Sequence, residues 1–329
     1  MRKQNTHSIL ISLMLILTAS WQTVSSVRGD DPSNARRPKN DSELRLWLEN
    51  MIWQHRFSDA EVTAATGLSA DEINAARAKF NIRDDNRPVR TATSPLLVLP
   101  YPGGRHPRIG FLDGAVNPQR ETKVSVFTPW NDKDYVVVDV PEALWSNLGL
   151  TYLAHTHIDT VWSKQGIAME RLEWTRSKEG ALQIQRRLPN GIEFAALVVP
   201  QRDAVRMELS LKNGSKEKLS DLRVQNCVML KGASGFSAQT NDHKLFRKPF
   251  VCVHDASKRR WIITAWTPCD RAWGNAPCPC LHSDPKFPDC APGESQVLRG
   301  WLSFYEGSDI DSELARIEAI GWQTEALQK

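Results

Sequence analysis

An antiparallel β-sandwich is the fold class predicted for this chain, with a small helical unit before it and one helix after it. Three observations carry the prediction. Between residues 96 and 304, about a dozen short runs alternate apolar and polar residues, the period of a strand with one buried face. The turn signals Asn190-Gly191 and Asn213-Gly214 separate some of these runs. Helical spacing is confined to residues 41–82 and 309–321.

The chain has 329 residues, enough for one large domain and a small one. It opens with a basic MRK start, the apolar run ILISLMLILTA and a polar, small-residue tail. That order is a secretory signal peptide over residues 1–26, with Val24 and Ser26 in the small positions before the cleavage point. An uncleaved anchor is the alternative. The apolar run has eleven residues, whereas a membrane span needs about 20. The mature chain is therefore expected to be exported, periplasmic or extracellular, with no transmembrane span. Without Arg2 and Lys3 the formal charge of +4 falls to about +2. No nucleic-acid footprint is visible in that balance.

Residues 27–40 are polar with two prolines and read as a disordered tether. In the helical unit, residues 41–82, Ser58 with Glu61 and Ser69 with Glu72 form two capping-box patterns on either side of Gly67. Val62, Gly67, Leu68 and Ile73 fall where a helix-turn-helix places its packing residues and turn. Two readings follow: DNA binding, or a packing unit that contacts a protein partner. The second helix offers Asp71 and Glu72 beside Arg77 and Lys79, which is not a basic recognition surface. Residues 83–94 read as a linker. Residues 95–329 form the sandwich domain. It includes a cysteine-rich loop over 267–295 and a helix over 309–321 capped by Asp309 or Asp311.

Four groups could carry chemistry. His155, His157 and Asp159 would share one face if their segment were a strand. They are the candidates for catalysis, or for one divalent metal, since imidazole with carboxylate suits zinc, iron or manganese; hydrogen-bonded structural histidines are the alternative. Arg105 and His106 follow a Gly-Gly pair, near Asp113 and Arg120, and could grip an acidic or hydroxylated ligand; a salt-bridged turn is the alternative. The cysteines Cys227, Cys252, Cys269, Cys278, Cys280 and Cys290 are disulfide candidates in an exported chain, with fifteen pairings open. The array Cys269, Cys278, Cys280, His282 and Cys290 could instead hold zinc, although it lacks the usual Cys-x2-Cys knuckle. Eleven tryptophans follow the signal. Trp130 and Trp162 lie beside polar residues, where a flat face could stack on a sugar ring.

The stretch RDAVRMELSLKNGSKEKLSDLRVQNCVMLKGASGF, residues 202–236, resembles galactose mutarotase-like sandwiches. The resemblance implies a supersandwich that binds or processes carbohydrate. Members of that group use a histidine in the second strand as an acid. Here the matching residues are Val224, Gln225, Asn226 and Cys227. With no histidine around Asn226 and Cys227, the resemblance implies binding or a chemistry other than epimerisation. The stretches PGGRHPRIGFLDGAVNPQRETKVSVFTPW, LAHTHIDTVW and CPCLHSDPKFPDC resemble uncharacterised exported proteins of planctomycete-type bacteria, which implies no established activity.

The expectation is an exported carbohydrate-binding or carbohydrate-active sandwich, with a carbohydrate or small-molecule ligand and no nucleic acid. The rival expectations are a structural, envelope-associated protein that docks a partner through residues 41–82, and a DNA-binding protein should the signal-peptide reading fail.

Overall fold

Alternation along the strands builds two stacked sheets, because each apolar face needs a partner surface. The computed structural model describes residues 35–91, 93–110, 120–155 and 158–327. The expected signal peptide, most of the expected tether, Asp113 and His157 lie outside the described residues. The first sheet contains β1 (Val98–Pro100), β2 (Lys123–Phe127), β3 (Tyr135–Ser146), β4 (Gly149–Leu153), β9 (Val224–Met229), β13 (Cys269–Trp273) and β14 (Cys280–Pro285). Its order is β1-β2-β3-β9-β14-β13, with β4 on the later part of β3. The second contains β5 (Thr175–Arg176), β6 (Leu182–Arg187), β7 (Glu193–Pro200), β8 (Ala204–Lys212), β10 (Lys244–Arg247), β11 (Phe250–His254), β12 (Arg260–Thr267) and β15 (Ser295–Glu306). Its order is β10-β11-β12-β15-β8-β7-β6-β5. The pairing is antiparallel throughout the described residues. The fold is mainly β, as the period-two pattern predicts.

Between the sheets, Val124, Val126, Val136, Val138, Val228 and Leu281 meet Leu182, Phe194, Val205, Leu209, Ile262 and Leu302 in one core. The opposite face of the second sheet is covered by α4 (Ile310–Ala319), whose Leu314 and Ile317 pack with Trp261, Trp301 and Trp322. Asp309 caps this helix by accepting from the Ser312 amide.

The helical unit covers part of the outer face of the first sheet. It consists of α1 (Asp41–Leu48), a π-helical continuation Glu49–Gln54, α2 (Asp59–Thr66) and α3 (Ala70–Phe80). Both capping boxes form, at Ser58 with Glu61 and at Ser69 with Glu72. Gly67 ends α2 at φ +71°, where a side chain would be strained. Val62, Leu68 and Ile73 are buried in the unit's own core. Docking uses polar bonds as well. Asn50 Nδ2 donates to the Pro100 carbonyl at 2.9 Å, and His55 Nε2 lies 2.7 Å from Ser125 Oγ.

The expected loop over 267–295 is corrected by the structure. Its Pro-rich ends flank a hairpin, β13–β14, that extends the first sheet. Every residue of β14 is buried, although four of its six are polar or thiol-bearing, so the stretch does not carry the apolar alternation of a strand.

Candidate functional site

A bulge in β3 gathers a charged layer on the outer face of the first sheet. Asp139 pairs with Cys227 and Ala143 with Gln225, so four residue steps on β3 face two on β9. Pro141 lies in this stretch and offers no N–H to the ladder. The bulge points both Asp139 and Glu142 outward, which a regular strand would not allow three residues apart. Lys123 on β2, Gln225 and Cys227 on β9, and Cys280, His282 and Asp284 on β14 face the same side. Arg108 joins them from the segment that follows β1.

Glu142 is the hub. Its Oε1 accepts from Arg108 Nη2 at 2.6 Å and from His155 Nε2 at 2.7 Å, and its Oε2 accepts from Gln225 Nε2 at 2.8 Å. Burial disfavours its charge, but Arg108 and the His155 bond outweigh that and hold the carboxyl well below its usual range. Burial also takes His155 down to about 4, against the pull of Glu142. The pair is thus a neutral imidazole that donates Nε2–H to a carboxylate. Beside it, Asp139 lies 3.0 Å from Lys123 Nζ and 3.3 Å from Arg108 Nη2. Burial lifts Asp139 to about 7 against those two cations.

Next to the carboxylates lies a thiol–imidazole group. The donor atoms of Cys227, Cys280 and His282 all fall within 4.8 Å of one another. His282 Nε2 is 3.1 Å from Cys280 Sγ, and Nδ1 is 2.9 Å from the Asn226 carbonyl oxygen. Cys280 is in hydrogen-bonding reach of both Cys227 and Cys278. Burial would raise the Cys227 thiol, but Cys280 and the His282 charge bring it down to about 5. Burial likewise opposes the charged form of His282, yet Cys227 and Asp284 raise it well above its ordinary value. Trp273 stacks on the His282 ring at 4.0 Å and 12°. Its Nε1 donates to Asp284 at 2.6 Å.

A pocket of ≈ 290 Å³ opens on the same face, lined in part by His106, Lys133, Tyr135, Val137 and Lys231. Val137 precedes Asp139 on the outward side of β3, so the pocket adjoins the charged layer.

The sequence candidates distribute unevenly around this layer. His155 belongs to it. Asp159 does not share its face, because β4 ends at Leu153, His155 is buried and Asp159 is exposed. Asp159 Oδ1 accepts from Ser163 Oγ at 3.1 Å. His155 therefore does not itself stand on a strand, as an aligned row would require. Arg105 is a clasp and has no donor to spare for a ligand. Its five N–H groups go to both oxygens of Glu61, to the carbonyls of His55 and Arg56, and to Tyr135 Oη. His106 lines the pocket, and its Nδ1 accepts from the Arg108 amide at 3.1 Å.

Trp162 is buried and its Nε1 donates to the Thr151 carbonyl, so it offers no face for stacking. Trp130 is half-buried, stacked on Phe236 with Arg260 over its ring. None of the six cysteines is bonded to another in the structure. Cys227 and Cys252 cannot pair, because one packs on the outer face of the first sheet and the other under α4. Cys269 lies near Ser283, and Cys290 against the Glu294 carbonyl.

Sequence patterning does not single out Glu142, Asp139, Lys123 or Arg108. The available signal is VVVDVPEAL, residues 136–144, in which two acids interrupt a nearly continuous apolar run. Such a run reads as a strand covered on both faces, and an acid inside it must then find buried partners.

No protein-family model matches the chain. No curated protein matches it either. Among solved structures, a candidate aldose 1-epimerase from Escherichia coli K12 superimposes with a TM-score of 0.34 at 13% identity, covering 53% of this chain and 84% of that one. A polysaccharide lyase gives 0.33 at 12% identity, covering 65% of this chain and 33% of its own. A candidate kojibiose phosphorylase from the human microbiome gives 0.35 at 8% identity, over 70% and 36%. The chain thus spans about a third of the length of the lyase and the phosphorylase. These are partial likenesses of a β-sandwich to three carbohydrate-enzyme structures.

Proposed function

We propose that this chain is an exported carbohydrate-binding or carbohydrate-active protein that works on the outer face of its first sheet. The observation that carries the reading is the buried Glu142–His155 pair. A carboxylate fixed by Arg108 and Gln225 orients a neutral imidazole through Nε2–H. That arrangement suits an imidazole that takes a proton from, or returns it to, a hydroxyl or a carbon acid. Lys133, Lys231 and His106 on the adjoining pocket supply cationic and polar groups for a hydroxylated or acidic sugar. His155 would be the acid/base, Glu142 its positioning partner and Arg108 the counter-charge.

The test is calorimetric binding and turnover on a panel of neutral, acidic and oxidised sugars. It compares the wild-type protein with His155→Gln and Glu142→Gln, with circular dichroism as the folding check. Binding with turnover that falls at least about 100-fold in folded His155→Gln supports an enzyme. Binding without turnover supports a lectin-like role. Neither binding nor turnover across the panel refutes the carbohydrate reading. The partner-docking rival is less well supported, since the helical unit already spends its apolar face, His55 and Glu61 on its own chain.

A further inference from the structure

We propose that Cys227, Cys280 and His282, with Cys278 as the fourth ligand, bind one zinc ion. Antiparallel pairing of β14 with β9 makes the site. Cys280 lies opposite Met229 and Leu281 opposite Val228. Continuing that register puts His282 opposite Cys227 on the outward face, with Cys280 two residues away on the same side. Three donors from two strands thus converge with no loop to order. In tetrahedral zinc sites, Zn–S of about 2.3 Å and Zn–N of about 2.0 Å place the ligand atoms about 3.5–3.8 Å apart. The three donors here already lie within 4.8 Å of one another.

The surroundings match a metal centre in three further respects. His282 Nδ1 faces a carbonyl oxygen at 2.9 Å, which can only accept. Nδ1 therefore keeps its proton, and Nε2, the nitrogen nearest the sulfurs, is the one a metal would take. Trp273 holds the ring plane from one side. Arg108 bonds the Cys227 sulfur and places a guanidinium beside it, which offsets the net negative charge of zinc with three thiolates. All four ligand residues are buried, at 1–3% exposure, so the donor set is soft and shielded, the combination that selects zinc over magnesium or calcium. The ligand spacing, Cys-Pro-Cys-Leu-His plus a remote Cys, departs from the usual Cys-x2-Cys knuckle, since Cys280 and His282 come from β14, Cys227 from β9 and Cys278 from the turn just before β14.

The experiment uses the full chain purified under metal-replete, non-chelating conditions. Native mass spectrometry and elemental analysis should give about one zinc per chain, and a thiol-blocking mercurial should release it. Cobalt exchanged into the wild-type protein should show a thiolate-to-cobalt charge-transfer band, a readout that needs no variant to fold. Zinc should fall to about none in Cys227→Ser and His282→Ala and stay near one in Cys252→Ser, whose thiol packs under α4. A metal-free protein without a cobalt band overturns the proposal. So does a peptide map that shows Cys227 bonded to Cys280, since the same two sulfurs would then be spent on a disulfide.

Discussion

Protonating His55 should loosen the helical unit from the sandwich. The imidazole is buried, with Nδ1 3.0 Å from the Asn50 carbonyl and Nε2 2.7 Å from Ser125 Oγ. The carbonyl only accepts, so Nδ1 carries the proton and Nε2 takes the Ser125 hydroxyl hydrogen. Phe57, Tyr101, Phe127 and Tyr135 meet the ring edge to face. Burial, reinforced by the Arg105 charge, takes its pKa down to about 3. In an unfolded chain the group titrates near 6.5. Between those values the unfolded chain binds more protons than the folded one, so stability is full above about pH 6.5 and falls as the pH drops toward 3. One proton gives a limiting slope of about 1.4 kcal/mol per pH unit, so moving from pH 6.5 to 4.5 should cost about 2 kcal/mol through this residue. His155, also depressed, acts in the same direction, so a variant must isolate the effect. His55→Gln can still accept from Ser125 but does not titrate. Its absolute stability will be lower. The quantity to read is the loss between pH 6.5 and 4.5 in urea unfolding followed by tryptophan fluorescence. That loss should be about 2 kcal/mol smaller than in the wild type. An identical pH dependence in both proteins would refute the buried neutral imidazole.

Two other substitutions test how the layers are held. Arg105→Lys keeps the charge but cannot reproduce the two-pronged bond to Glu61 or the three further contacts, and should cost about 2 kcal/mol of unfolding free energy, read by urea titration. Ile317→Ala removes a side chain buried between α4 and the second sheet and should cost about 3 kcal/mol. Ile320→Ala, at a position 45% exposed on the end of the same helix, should change stability by less than about 0.5 kcal/mol.

Local chemistry accounts for what was legible in the sequence. The capping boxes at Ser58 and Ser69, Gly67, the Asn190-Gly191 turn between β6 and β7, and the cap at Asp309 all depend on residues a few positions apart, and each is found in the fold. Alternation located the strands for the same reason. The site was only partly legible, because its members come from β2, β3, β9, β14 and two connecting segments. A His-x-His-x-Asp row looked like a local site, but it requires a strand that ends at Leu153. Cys278, Cys280 and His282 were visible as a group. Their partner Cys227 is about fifty residues away and is joined to them only by the pairing of β9 with β14. Glu142 depends on a bulge, and no local pattern encodes the two extra residues of β3.

The charged layer is an expensive way to fill space, and that cost bears on function. Arg108, Lys123, Asp139 and Glu142 are all nearly inaccessible. Each buried ion costs several kcal/mol in lost hydration, and replacing such a set with well-packed apolar side chains is often neutral or stabilising. The inner face of the same strands does that, with Val124, Val126, Val136 and Val138. A sheet that needed only stability on its outer face could use the same solution, as it does at Val137 and Met229. Instead, two cations, two carboxylates, an imidazole and the thiol–imidazole group share one patch, and the carboxylate at its hub is held ionised by two partners at 2.6 and 2.7 Å. Fixed charges in a dry layer act strongly on whatever reaches them, because little solvent screens the interaction. The outer face of the first sheet, more than the tryptophan-bearing rims or the helical unit, is therefore where ligands and variants should be tried first.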